Sequence, residues 1–170
     1  MSHASPAPSI ELLLWKDEDW PLLWVWMQPY WSRVANDFSP DTIQDFVSMK
    51  RSQNWHRLAV YRNNELGGIL EAEHVSPVVA QVHVTFKKSF WGWQTTLPAM
   101  RLGMEYLWRQ GYSKIRAQVY PDNRAIIRVI KTLGGRLEAV LNSETKRDGK
   151  LTDLHQYCIL KGEDNGMFIR

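Results

Sequence analysis

The chain is poor in several features that would place a protein quickly. A single cysteine, Cys158, stands in 170 residues, so no internal disulfide can form; with no metal-ligand neighbours at suitable spacing, it reads as a small buried apolar residue. Long hydrophobic runs are missing as well, since the longest, 22–27, is far shorter than the roughly 20 residues that span a bilayer. No basic stretch leading into an apolar one opens the chain. Residues 1–9 therefore read as a loose N-terminal tail, 162–170 as a C-terminal tail, and a cytoplasmic setting without membrane contact is the expectation. The net charge of +3 and pI near 9.0 come from scattered Lys and Arg, which permits an anionic ligand but does not build the basic stripe of a nucleic-acid binder. His3, His56, His74, His83 and His155 show no ligand spacing on one element, so no metal is expected.

What is present is the make-up of an ordinary globular protein: 44% apolar and 23% charged residues in a length suited to one compact domain, read as 10–161. The unusual component is tryptophan. Of nine, Trp15, Trp20, Trp24, Trp26 and Trp31 fall in the first 31 residues. Such a load is expected mainly to fill a core, with ligand recognition as the alternative.

Periodicity orders the elements. Residues 10–15 form a short apolar run, and Asp17, Asp19 and Pro21 are suited to starting a helix that ends near Pro29. Ser39-Pro40-Asp41 repeats the start signal ahead of Ile43, Phe46 and Val47 at helical spacing. Residues 56–61 and 66–75 read as a hairpin across Arg62-Asn63-Asn64-Glu65, because Asn accepts left-handed backbone angles. Residues 79–86 alternate Val82, Val84 and Phe86 against Gln81, His83 and Thr85, the mark of a strand with unlike faces. A helix over 95–110 ends at Gly111; its Pro98 should lie in the first turn, which places the start near Thr95 or Thr96. A strand at 115–120, a helix at 123–133 closed by Gly134-Gly135, and a hairpin turning at 147–150 complete the chain.

From residue 79 onward this order resembles the GCN5-related N-acetyltransferases (GNAT), especially the branch that acetylates ribosomal-protein N-termini and small amines. The resemblance is carried by the strand 79–86, Phe90-Trp91-Gly92 opening a long helix, Pro121-Asp122-Asn123 after a strand, a helix ending in Leu133-Gly134, and Arg147-Asp148-Gly149 with Asp153. It implies an α/β (α+β) acyl-CoA N-acyltransferase fold, a mixed central sheet of about seven strands flanked by about four helices. Acetyl-CoA as cosubstrate, an amine acceptor (a small molecule, protein N-terminus or lysine) and a monomer or homodimer follow from the same resemblance.

That family holds the coenzyme pyrophosphate on bare N–H groups at a helix N-terminus, in a loop of pattern Gln or Arg, two residues, Gly, one residue, Gly or Ala. Here Ser89, Gly92 and Gln94 occupy the key positions, with Trp91 and Trp93 flanking the one glycine. The resemblance assigns coenzyme contact to Phe86, Lys88, Trp91, Gly92, Trp93, Gln94, Thr95 and Asn123, although Asn123 serves equally well as a strand-to-helix turn residue and Lys88 as a solvated lysine. The proton-donating Tyr that many members carry seven residues after that Asn is Ile130 here, which cannot donate. Glu71, Glu73 and His83 lie on the central strands and are the candidate bases, each with an ordinary structural role as its alternative.

Two functions remain open on this reading: acetyl transfer to an amine, or a binding or assembly role for a degenerate descendant of the fold, as in similar chains of tailed bacteriophages. Exposed Trp91 and Trp93 would mark a partner surface in the second case. Nucleic-acid binding is a third and poorer reading, resting on Lys87 to Trp93 alone.

Overall fold

The computed structural model describes residues 8–30 and 40–162; Trp31 and Ser39 lie outside the described residues. Strands β1 (Ile10–Leu14), β2 (His56–Arg62), β3 (Glu65–Ser76), β4 (Val79–Phe86), β5 (Lys114–Val119), β6 (Arg136–Arg147) and β7 (Lys150–Leu160) form one seven-stranded sheet in the order β1-β2-β3-β4-β5-β7-β6. Among the described residues the helices are α1 (Trp20–Met27), α2 (Ile43–Ser52), α3 (Trp93–Arg109) and α4 (Arg124–Thr132). The mixed sheet and its helices are those of the acyl-CoA N-acyltransferase fold. None of these helices is long and apolar enough to cross a membrane.

The β2–β3 hairpin turns on Asn63 and Asn64, both left-handed (φ 52° and 64°), and the β6–β7 hairpin turns on Asp148 and Gly149 (φ 51° and 74°). Two successive positive φ angles give a turn whose twist matches that of the flanking strands, and Asn, Asp and Gly accept them at least cost.

Helix boundaries depart from expectation in two places. The cap of α2 is Thr42, whose side chain accepts from the Asp45 N–H at 3.1 Å, and Pro40 and Asp41 precede it without capping it. Helix α3 begins at Trp93 with Gly92 as its cap, so Pro98 falls in the second turn and not the first. The missing proline N–H deprives only the carbonyl of Gln94, an exposed residue, so water can replace the lost bond. Asn123 is the N-cap of α4, its side chain accepting from the Ile126 N–H at 3.3 Å.

Strand alternation divides the sheet into two unlike faces. Leu58, Leu70, Ala72, Val82, Ile115 and Ile159 face α3 and α4, where Met100, Met104, Leu107, Val129 and Leu133 close over them. On the opposite face Ile69 meets Trp20 and Leu23 of α1 and Phe46 of α2. Trp20 packs edge-on against Phe46 with centroids 6.3 Å apart, so tryptophans do fill core here; Trp15, Trp24 and Trp26 pack against this cluster partly buried.

A histidine–tyrosine cluster pins the end of α3 to β2 and β3. His56 Nδ1 and Nε2 lie 3.3 Å and 3.2 Å from the hydroxyls of Tyr106 and Tyr112, and His74 Nδ1 lies 3.0 Å from the Tyr112 hydroxyl. Burial, and then the neighbouring His74, hold the His56 pKa below the ordinary histidine value. Burial, with Tyr106 beside it, pushes the Tyr112 phenol up.

Candidate functional site

The one parallel pairing among the described strands is also the shortest. β4 and β5 pair only at Val79↔Lys114, Ala80↔Ile115 and Gln81↔Arg116, after which they diverge. The Lys87 N–H bonds the Gly67 carbonyl of β3 at 2.9 Å; by alternation Thr85 and His83 also turn their backbone polar groups to β3. Val84 and Phe86 therefore turn theirs, and Val82 its carbonyl, into the gap between β4 and β5, a strand edge with hydrogen-bonding capacity and no neighbouring strand, where the Phe86 carbonyl accepts from Trp91.

Two cavities occupy this gap. The inner one, about 250 Å³, is bounded by Val82, His83, Gln118, Tyr120, Ile126 and Ile130. The outer one, about 840 Å³, runs from Phe86, Trp91, Gly92 and Trp93 across to Tyr120, Asn123, Arg128 and Arg147, and on its third side meets Trp26, Met27 and Tyr30.

At the outer cavity, α3 presents its N-terminus. Gly92 has φ 131° and ψ 164°, a conformation essentially restricted to glycine. Its carbonyl accepts from the N–H groups of both Thr95 and Thr96, at 3.2 and 2.9 Å. The N–H groups of Gly92, Trp93 and Gln94 have no acceptor among the described residues. Three free donors and the helix dipole make an anion-seeking surface. The Arg128 guanidinium lies 5.6 Å over the Trp93 ring, and Arg147 lies 4.5 Å over the Tyr120 ring while its Nη1 donates to both Asp122 oxygens at 3.1 Å. Trp91 donates from its indole nitrogen to the Phe86 carbonyl at 2.9 Å and packs 4.8 Å from the Tyr30 ring.

At the inner cavity His83 stacks on Trp55, centroids 5.2 Å apart and planes within 9°. Its ring meets solvent on the sheet face, yet the strands and Trp55 surround it closely. The loss of hydration is the largest influence on its pKa and holds it low; Glu71 and Glu73 oppose this and Lys50 adds to it. A neutral imidazole at neutral pH is a competent proton acceptor.

The carboxylates are placed differently. Glu71 is 2% exposed and takes a separate cation on each oxygen, Lys50 on Oε2 at 2.5 Å and Arg57 on Oε1 at 3.3 Å. Taking up a ligand proton there would break a buried ion triad. Glu73 accepts from Gln81 Nε2 at 3.4 Å, and Gln81 in turn accepts from Arg116 at 2.9 Å. Neither carboxylate borders either of these two cavities, whereas His83 borders the inner one.

Of the other residues singled out in the sequence, Phe86, Trp91, Gly92, Trp93 and Asn123 are gathered around the outer cavity. Lys88 and Gln94 are exposed outside its lining, and Thr95 is buried with its hydroxyl accepting from Arg62 at 3.0 Å. Sequence reasoning missed Trp55, Tyr120, Arg128 and Arg147. Tyr120 carried a local signal, standing at the end of a strand directly before Pro121, and Arg147 stood in the Arg147-Asp148-Gly149 turn that carries the resemblance, but no ligand role was attached to either. Ile130 is buried at the edge of the inner cavity.

An open, mixed sheet that splits between its two parallel strands beside a glycine-capped helix defines the class, and the family follows from the sequence match. The chain belongs to the acetyltransferase (GNAT) domain family, whose model matches residues 9–136. Among solved structures it is similar to RimJ of Mycobacterium smegmatis in complex with CoA-disulfide, at 18% identity over 94% of this chain and 86% of that one, with a TM-score of 0.81. A spermidine N-acetyltransferase SpeG chimera from Vibrio cholerae and hSSAT gives a TM-score of 0.79 at 14% identity over 89% and 95% of the two chains. RimL, the ribosomal L7/L12 alpha-N-protein acetyltransferase, gives 0.77 at 16% identity over 91% and 92%. No curated protein sequence matches the chain significantly.

Proposed function

We propose that this chain transfers an acetyl group from acetyl-coenzyme A to an amine. The observation that carries the reading is the continuity of the gap. An unpaired β4 edge with extended backbone leads outward to three free N–H groups at Gly92, Trp93 and Gln94. A ligand with amides along its length and phosphates at one end matches that sequence of donors and acceptors. Similar structures described with CoA-disulfide or acetyl-CoA support the same ligand.

Acetyl-coenzyme A supplies an activated thioester. The chain's part is positioning, together with backbone N–H groups of the β4 edge aimed at the carbonyl oxygen as charge develops there. His83 accepts the proton released as the amine nitrogen bonds to the acetyl carbon. Tyr120, which borders both cavities, protonates the departing thiolate in place of the usual tyrosine, whose position Ile130 holds. The acceptor is an amine of a small molecule or a protein.

Titration with acetyl-coenzyme A, read by tryptophan fluorescence and thermal unfolding, tests this. At 100 times the dissociation constant the fold should gain about 2.7 kcal/mol, and an acceptor screen should then show turnover. A second reading, a binding or assembly component without coenzyme, draws on Trp91, whose indole already occupies the Phe86 carbonyl at the outer end of the β4 edge. Silence at millimolar coenzyme would favour it.

A further inference from the structure

We infer that Arg62, at the end of β2 and remote in sequence from the coenzyme loop, is a positioning residue that holds the Gly92 loop in its anion-binding shape. The inference rests on the acetyltransferase reading. One Nη donates to the Ser89 carbonyl at 3.0 Å and the other to the Thr95 hydroxyl at 3.0 Å. These acceptors stand three residues before and three residues after Gly92, so a single guanidinium ties the incoming turn to the first turn of α3. The central carbon of the same group lies over the Phe90 ring, 4.2 Å from its centroid.

Phe90 completes the device. It is fully buried, and it lies so close over Gly67 of β3 that a Cβ there would come within 2.3 Å of its ring. Lys87, paired with Glu65, also lies over the ring, at 4.5 Å. The residue between the two tethered points is the one with φ 131°, and nothing lies within 4 Å of where its Cβ would be. Packing around Gly92 therefore does not impose its conformation; the tethers on either side do. A planar fork holds two acceptors on separate nitrogens at a set separation while lying over an aromatic ring, and a single ammonium nitrogen cannot span both acceptors in that way.

This accounts for a loop that keeps three free N–H groups with only one glycine. It also separates the pyrophosphate end of the ligand from the β4 edge, since Arg62 donates to Ser89 and Thr95 on either side of Gly92. The test compares CoA with pantetheine, which lacks the phosphates, measuring dissociation constants by tryptophan fluorescence for the wild type, Arg62→Met, Arg62→Lys and Thr95→Val. Both Arg62 variants should lose about tenfold or more in CoA affinity, and Thr95→Val, which keeps its shape and loses one tether, about threefold. Pantetheine affinity should stay as in the wild type.

Recovery of CoA affinity in Arg62→Lys would overturn the inference in favour of simple charge attraction. Parallel weakening of both ligands would overturn it in favour of general structural support, and unchanged CoA affinity would overturn it outright. Should Arg62→Met fail to fold, Thr95→Val carries the same comparison. A wild type that binds neither ligand overturns the acetyltransferase reading and this role with it, an outcome distinct from the others because the variants are then irrelevant.

Discussion

Leu70 and Glu71 are neighbours on β3, both almost fully buried, and they face opposite sides of one sheet. Leu70 sits in an apolar core closed by α3 and α4, where burial of each large side chain contributes about 1.5–3 kcal/mol without regard to direction. Glu71 belongs to a face where α1 and α2 cover an aromatic cluster and the open remainder carries Lys50, Arg57, Glu73, Gln81, His83 and Arg116 in directed contacts. The first face holds the fold together; the second presents chemistry. A continuous apolar core tolerates exchange of one hydrophobe for another, whereas a buried charge must have its particular partner. Loss of a buried charge on the second face is therefore specific in a way that exchange of one core hydrophobe for another is not.

The largest test of that contrast is Glu71→Gln. It leaves Lys50 and Arg57 buried, their side chains 12% and 15% exposed, without their counter-charge, and should lower stability by about 3–5 kcal/mol. Chemical denaturation reads this directly. Coenzyme affinity under folding conditions should not change, and a large change would break the separation between structural and chemical residues on this face.

His83→Gln should give the converse result, with wild-type thermal stability to within about 0.5 kcal/mol and a kcat about a hundredfold lower. Wild-type turnover should fall with acidification through a pKa below the ordinary histidine value of about 6.5, because loss of hydration between the strands and Trp55 holds His83 low. The variant should lack that inflection. Retention of the full profile would move the base elsewhere.

Gly92→Ala comes next. No neighbouring atom obstructs the added Cβ, so the penalty is conformational, about 1–3 kcal/mol. It should appear as roughly tenfold weaker coenzyme binding if the loop shifts to relieve the strain. Calorimetric titration distinguishes that from a plain loss of stability.

The smallest effect belongs to His56, on the α3-facing side. Its folded pKa is depressed by burial and by His74, so the unfolded chain binds the extra proton first as pH falls. The associated stability is full above about pH 6.5 and declines from there down through the depressed folded pKa. Unfolding experiments at pH 7 and pH 5 should show the loss, and His56→Gln should flatten that part of the profile.

Much of this architecture was legible in the residues. Val82, Val84 and Phe86 alternating with Gln81, His83 and Thr85 marked β4, Asn63-Asn64 and Asp148-Gly149 marked the turns, and the Pro121-Asp122-Asn123 step marked the start of α4. The site was legible in part. Gly92, Trp91, Trp93 and Asn123 lie around one cavity, but the sequence offered Glu71, Glu73 and His83 alike as candidate bases and could not tell them apart. Glu71 is sequestered by Lys50 from α2, and His83 is positioned by Trp55 from the loop after it. Both partners come from sequence far from β3 and β4. The helix start was missed by two residues because a proline in the second turn forfeits only one bond, to a carbonyl that water can reach.

Element type and turn chemistry were thus set by the sequence itself, because period, capping and φ preference act among residues close along the chain. The partition of polar side chains into structural pairs and accessible groups was decided by the tertiary structure. Charge pairing and desolvation act through space, over a few ångströms, between residues that only the folded sheet brings together.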